Sequence, residues 1–362
     1  MEGLVVKNVR LSCLACLTVV MVLAQGCASM TVRPEVDPAL AASEAAIQKR
    51  MAVEERVEQF ARLSRVSLPI LENGTPLCGD DVTYYLGMDT NSIDGVPKEW
   101  RDAYREVQGL NEYVTVTNVF EGTPAHEAGL RAGDTILMMN AEKVEPGDKC
   151  YATFLERLTN QLDQGRTMTF WVEREGRPTF VSVTPRQRCD YPVLMSDDDV
   201  VNAYANGELV VVTRGMLRFA ESDDELALVV GHELGHNIMD HVDKSKGSRV
   251  LGAIVDGLVA GLTGVYSNAF ANAAGLAYSQ EYEQEADYVG IYLMERGGYD
   301  GKDAPMFWRR MGANWPYSIS HATTHPTSAA RYVFLDQCEK EISAKRKAGQ
   351  DLLPEFKKTV SK

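Results

Sequence analysis

Within "VVGHELGHNIMDHV", residues 229–242, His232 and His236 stand four positions apart, and Glu233 follows the first of them. On a helix that spacing puts both imidazoles on one face. Two imidazoles so placed can take two corners of a tetrahedral zinc site. Glu233 is turned about 100° from His232, which sets it beside a metal-held water rather than on the metal. Zinc lowers the pKa of such a water to roughly 7. A neighbouring carboxylate can then take its proton and pass it to a leaving amine. The three residues therefore point to metal-assisted hydrolysis of an amide, provided that a third protein ligand arrives from elsewhere.

The elements that must position this chemistry are legible around it. Ser222 reads as an N-cap, with Glu225 three residues later completing a capping box. Leu226, Val229, Val230, Leu234 and Ile238 follow at helical spacing, so the histidines fall well inside a helix. A second helix is expected over "YSQEYEQEADYVGIYLM", residues 278–294, with Tyr282, Ala286, Val289 and Leu293 on neighbouring turns. Glu281, Glu283, Glu285 and Asp287 crowd its start, and residue type alone leaves all the glutamates open as the third ligand. Ahead of both lies a strand at Glu208–Thr213, entered by a turn at Asn206-Gly207. The Gly- and Ala-rich stretch 250–279 between the helices reads as a close-packed helix pair over the site, with a membrane-touching hairpin as the alternative.

The HExxH helix followed by "SQEYEQEADYVG" resembles the Ste24-like zinc metallopeptidases over roughly residues 195–340. That resemblance implies one zinc per chain, held by His232, His236 and, from a Glu-x-x-x-Asp pattern, Glu283. It implies Asp287 as the carboxylate orienting a ligand histidine, with Glu281 and Glu285 as competitors for the register. The stretch "VNAYANGELVVVTRGML" would then supply an edge strand lining the cleft, able to hold substrate by strand addition. The stretch "THPTSAARYVFL", residues 324–335, would bring His325 near the zinc, as a plug or an oxyanion donor, with Arg331 following it in the motif as a further candidate catalytic residue. His126, His241 and His321 read as bystanders.

Ahead of this region, residues 78–188 read as a separate β-rich unit. "YVTVTNVF" at 113–120 alternates as a strand does, and "EGTPAHEAGLRAGDTILMMNAEKV" at 121–144 resembles the PDZ domains of bacterial periplasmic proteases. A helix at 150–165 and a hairpin turning at Glu175-Gly176 complete the pattern. The resemblance implies binding of peptide C-termini, with Tyr85, Leu86, Gly87 and Met88 as the carboxylate loop. The long stretch 89–111 departs from a compact domain of this kind.

The remaining features bound the class of protein. Of 362 residues, 45% are hydrophobic, enough for several globular cores, and a net charge of −14 argues against nucleic-acid binding. Lys7, Arg10 and the apolar run from Leu11 to Ala24 have the layout of an export signal. Leu23-Ala24-Gln25-Gly26-Cys27 resembles a lipoprotein signal, which implies lipid on Cys27. Ala28 after it implies the periplasmic side of an outer membrane. Cys78, Cys150, Cys189 and Cys338 are then expected to form at least one disulfide, with three full pairings open.

The expected fold is α+β: a signal over 1–26, a tether and amphipathic helix over 27–76, a PDZ domain over 78–188, a mainly helical gluzincin-type domain with a small edge-strand sheet over 190–340, and a polar tail over 341–362. The expected activity is a zinc-dependent endopeptidase acting on envelope proteins. An assembly or chaperone factor that works by binding is the alternative. A prenyl-protein protease is disfavoured, because the chain lacks the multiple spans of those enzymes.

Overall fold

The computed structural model describes residues 33–241, 280–320 and 328–356. The signal-like segment with Cys27, the stretch 250–279, and His321 and His325 lie outside the described residues. The chain divides into two units, one up to Ile47 and one from Gln48 onward. In the first, residues 33–47 are exposed and become helical at Pro38, whose missing N–H suits a helix start.

Helix α1 spans Pro38–Asn73. Ile47 and Met51 are exposed. The buried stripe instead comprises Val53, Leu63, Val66, Ile70 and Leu71, and from Leu63 onward it joins the core around the HExxH helix. Each such side chain stabilises by about 1.5–3 kcal/mol on burial. Pro69 sits inside this helix and cannot donate to the Arg65 carbonyl one turn back. The Tyr299 hydroxyl donates to that carbonyl at 3.3 Å, which lets the helix continue through the proline.

The β-rich unit follows. Strand β1 (Val82–Tyr85) leads through Leu86 and Gly87 into β2 (Met88–Asn91). The stretch after β2 folds into short turns and helix α2 (Arg101–Gln108), which cover a small cluster of Ile93, Val96 and Leu110. Strand β3 (Thr115–Val119), helix α3 (Pro124–Glu127), strand β4 (Thr135–Met139), the short β5 (Glu142–Lys143), helix α4 (Cys150–Leu162), and β6 (Met168–Arg174) with β7 (Arg177–Val183) complete it. The sheet order is β2-β3-β4-β6-β7, with β5 on β4. Its two tight hairpins turn at Asn140-Ala141 and Glu175-Gly176, all four with positive φ, the conformation that matches strand twist.

Strand β8 (Arg186–Cys189) leaves this sheet and pairs antiparallel with β1 in a two-stranded ribbon. A Cys78–Cys189 disulfide closes the ribbon's end across 111 residues. A loop of that size is worth about 4–5 kcal/mol by the chain-entropy argument. Cys150 and Cys338 are buried thiols. Burial raises the pKa of Cys150 to about 11 and of Cys338 to about 12.

The remaining sheet has β9 (Val193–Ser196) and β10 (Ala203–Ala205) flanking β11 (Val210–Thr213). The valine-rich strand is therefore central and buried, not an edge: β9 runs parallel on one side and β10 antiparallel on the other. Three consecutive valines suit a strand buried on both faces. The edge nearest the HExxH helix is β10. Helix α5 (Arg214–Phe219) leads into α6 (Asp223–Ile238); α7 (Gln280–Arg296) and α8 (Ala304–Asn314) pack on it, and α9 (Tyr317–Ser320) and α10 (Ser328–Lys347) follow, both against α8. The residues read as a polar tail from 341 begin inside α10, which buries Ile342. Beyond its end, the Glu355 N–H donates to the Tyr288 hydroxyl at 3.0 Å. No helix among the described residues is long and apolar enough to cross a membrane.

Candidate metal centre

Helix α6 is fixed at its start before it carries any chemistry. The Ser222 hydroxyl accepts from the Glu225 N–H at 3.2 Å, and the Glu225 carboxylate accepts from the Glu221 N–H at 2.7 Å. Glu225 is in turn gripped by Arg310 of α8. Near its other end, Asn237 accepts from the Gly207 N–H at 2.8 Å and donates to the Leu209 carbonyl at 3.1 Å, tying the β10–β11 turn to the helix.

Helices α6 and α7 approach backbone to backbone because small residues line their crossing. A Cβ on Gly231 would lie 2.4 Å from the Gly290 carbonyl oxygen, and one on Gly235 would lie 2.7 Å from that of Ala286. This contact brings the carboxylate-rich turn of α7 onto the histidine face of α6. Nε2 of His232 and Nε2 of His236 are 3.3 Å apart. Glu283 oxygens lie 3.6 Å from the first and 3.4 Å from the second.

Tetrahedral zinc with bonds of about 2.0–2.2 Å needs ligand atoms about 3.3–3.6 Å apart. The three donors meet that spacing, and all their candidate ligand atoms fall within 4.8 Å of one another. Charge balance agrees. Among the described residues, Glu233, Glu283 and Asp287 are buried here, and one buried guanidinium, that of Arg331, stands with them, paired to Asp287. Three carboxylates and one guanidinium leave two negative charges, which a divalent cation would neutralise in a medium that penalises unpaired charge.

The groups behind the histidines fix their tautomers. Asp287 Oδ1 lies 2.9 Å from Nδ1 of His232. Arg331 Nη2 also lies 2.9 Å from that Nδ1. A guanidinium only donates, so Nδ1 cannot donate to Asp287 and accept from Arg331 at once. Metal ligation through Nε2 requires the proton on Nδ1, which selects the bond to Asp287. Arg331 instead grips Asp287, donating from Nε at 2.9 Å and from Nη2. Its guanidinium lies 3.3 Å from the Trp308 ring centre. Asp287 thus sits at Nδ1, the side of His232 away from Nε2, and acts through the ring, while Nη2 of Arg331 also comes within 3.4 Å of Nε2.

His236 has its own support, which the sequence reading missed. Its Nδ1 lies 3.0 Å from Nδ1 of His241, and Nε2 of His241 lies 2.9 Å from Glu285. His241 is buried and stacks on Tyr282, with ring centres 4.5 Å apart. His241 is therefore no bystander, and Glu285 holds that histidine rather than the metal position. Glu281 is exposed. No spacing rule links position 236 to 241; only the carboxylate at Glu285, one helical face away from Glu283, hinted at a second role.

In the β-rich unit, the Leu86 carbonyl accepts from the Ala125 N–H at 2.8 Å, and the Gly87 carbonyl accepts from the Phe120 N–H at 3.1 Å. Gly87 has φ +79, and a Cβ there would strike Thr123 at 2.1 Å, so only glycine fits. The Leu86 and Gly87 N–H groups meet no backbone acceptor among the described residues. The Tyr85 hydroxyl is bonded to Glu72. Met88 opens β2, the edge strand of the sheet.

Comparison with known proteins adds to this geometry. The model of peptidase family M48 matches residues 170–339, and that of the PDZ domain matches residues 85–184. The two overlap at the β6–β7 hairpin, which is hydrogen-bonded into the first sheet. The chain is 32% identical over 152 residues to a mitochondrial metalloendopeptidase OMA1 of Arabidopsis thaliana, covering 41% of this chain and 31% of the relative. It is 32% identical over 157 residues to the Schizosaccharomyces pombe protein of that name, covering 41% and 47%. The chain thus spans 31% and 47% of the length of these two relatives. Among solved structures, the HtrA-type protease AlgW with decapeptide is 23% identical, covering 30% of each chain with a TM-score of 0.22. The HtrA3 PDZ domain bound to a phage-derived ligand is 14% identical, covering 29% of this chain and 88% of that one, also at 0.22.

Proposed function

We propose that the protein is a zinc-dependent endopeptidase of the bacterial cell envelope, held by lipid on Cys27 to the periplasmic side of the outer membrane. Its PDZ domain would select or gate protein substrates. The observation that carries this reading is the convergence of His232, His236 and Glu283 at zinc-ligand spacing. The matches to peptidase family M48 and to metalloendopeptidases support it. Glutamate as third ligand is the gluzincin arrangement.

When bound, zinc supplies a Lewis acid that makes water nucleophilic at neutral pH. The chain's own groups do the rest. Glu233, buried beside His232, takes the proton of the attacking water and delivers it to the leaving amine. Asp287 and the His241–Glu285 pair keep both imidazoles with Nε2 toward the centre. Strand β10, the outer strand of its sheet, offers the backbone edge on which an extended substrate can lie.

Zinc content and casein cleavage, measured on the purified protein beside Glu233→Gln and Glu283→Ala, test the proposal. One zinc per chain is expected in the parent and in Glu233→Gln, with cleavage only in the parent and zinc lost in Glu283→Ala. A folded parent without zinc would sink the enzyme reading. A cellular role that survives Glu233→Gln would favour an assembly factor acting by binding.

A further inference from the structure

A cavity of about 280 Å³ lies beside the Leu86-Gly87 turn. Phe60 and Leu68 of α1 form one wall, and Leu158 and Leu162 of α4 another. A second cavity, about 320 Å³, continues along β2 and shares Phe60, Met88 and Leu158 with the first. The groove along the edge strand is therefore bounded by the chain's own first helix as well as by α4.

Arg188 lines the first cavity. It belongs to β8, beyond the end of the segment matched by the PDZ model, and the Cys78–Cys189 disulfide braces its strand. Residues two apart on a strand share a face. Arg186, on the same face, is paired with Glu72 at 2.9 Å and Glu127 at 3.1 Å. Arg188 makes no ion pair among the described residues, and its Nε is buried without a hydrogen-bond partner. Burial holds its pKa below the ordinary guanidinium value, against the opposing pull of Asp190 and Tyr85. Arg188 is half-buried, and holding its Nε away from water without a partner costs stability.

We propose that Arg188 anchors the free C-terminal carboxylate of a polypeptide partner whose last side chain is apolar. The carboxylate completes the guanidinium's bonding, beside the Leu86 and Gly87 N–H groups. The last side chain occupies the space between Phe60, Leu68, Leu158 and Leu162. The chain behind it runs along β2, whose outer edge pairs with no strand among the described residues. A buried aspartate side chain or a phosphate would satisfy the charge but leave the apolar walls unfilled. The proposal rests on the peptide-binding reading of the β-rich unit and is independent of the metal.

Pooled fluorescent hexapeptides test it. They carry mixed residues at five positions and Ala, Val, Leu or Phe last, each pool made as free acid and as amide. Binding is read on the full chain carrying Glu233→Gln, so that no peptide is cut. At least one free-acid pool should bind about tenfold or more tighter than its amide, the scale of a hydrogen bond to a charged group. Arg188→Met should erase that preference and Arg188→Lys keep part of it. Arg188→Met should also unfold at the same or a higher temperature, which a merely structural arginine would not allow. Acid and amide binding alike, or a preference that survives Arg188→Met, would overturn the assignment. Binding of no pool at all would overturn it together with the peptide-binding reading, while leaving the zinc result untouched.

Discussion

Nδ1 of His236 faces Nδ1 of His241 at 3.0 Å, and Nε2 of His241 faces Glu285 at 2.9 Å. Only one proton arrangement serves a metal at Nε2 of His236. Its Nδ1–H donates to His241, whose Nε2–H donates to the carboxylate. Partners of this kind usually contribute 10–100-fold in metal affinity. His241→Ala is therefore expected to weaken zinc binding by about tenfold or more, read by competition with a chromogenic chelator. Glu285→Gln should do so less, since an amide oxygen still accepts. Unchanged affinity in a folded His241→Ala protein would remove this histidine from the site.

Gly290 tests whether the helix crossing sets the metal geometry. Alanine in a helix interior gains about 1 kcal/mol over glycine by propensity. Here its Cβ would lie 2.7 Å from the His232 nitrogen and 2.8 Å from Gly231 backbone atoms, which cannot turn aside. Overpacking of that sort costs about 1–3 kcal/mol, so the clash outweighs propensity. Gly290→Ala should lower the unfolding temperature and, by moving Glu283 away from the histidines, lower zinc affinity too. A more stable variant with full affinity would show that the helices have slack.

The α6 helix, its cap and the metal-ligand candidates could be read because they obey local rules. Ser222 and Glu225 are three apart, His232 and His236 four apart, and apolar residues recur at helical spacing. The hairpin at Glu175-Gly176 was legible from its turn residues for the same reason, whereas the turn at Asn140-Ala141 was not. What was missed depends on elements distant in sequence. Arg331 meets Asp287 across 44 positions and Trp308 on a third helix. The strand at Val210–Thr213 is central because Val193–Ser196, which carried no recognised signal, pairs beside it. The Arg65 carbonyl that Pro69 leaves open in the first helix is met by Tyr299, 234 positions on.

Asp89 makes the groove along β2 sensitive to pH. Burial raises its pKa from 3.8 to about 6, and the hydrogen bond from the Asn118 amide only partly opposes this. The folded chain therefore keeps a proton that the unfolded chain has already released. Between about pH 4 and pH 6 the folded state binds more protons, so stability from this group falls as pH rises. Above that window both states are ionised and the full cost of the buried charge remains. Asn at this position keeps an acceptor for Asn118 and carries no charge. Asp89→Asn should thus unfold at a higher temperature than the parent at pH 7, with the gap closing toward pH 4 as the parent's carboxyl becomes protonated. Unfolding temperatures of the two proteins across that range decide the matter, and parallel curves would place Asp89 in contact with water.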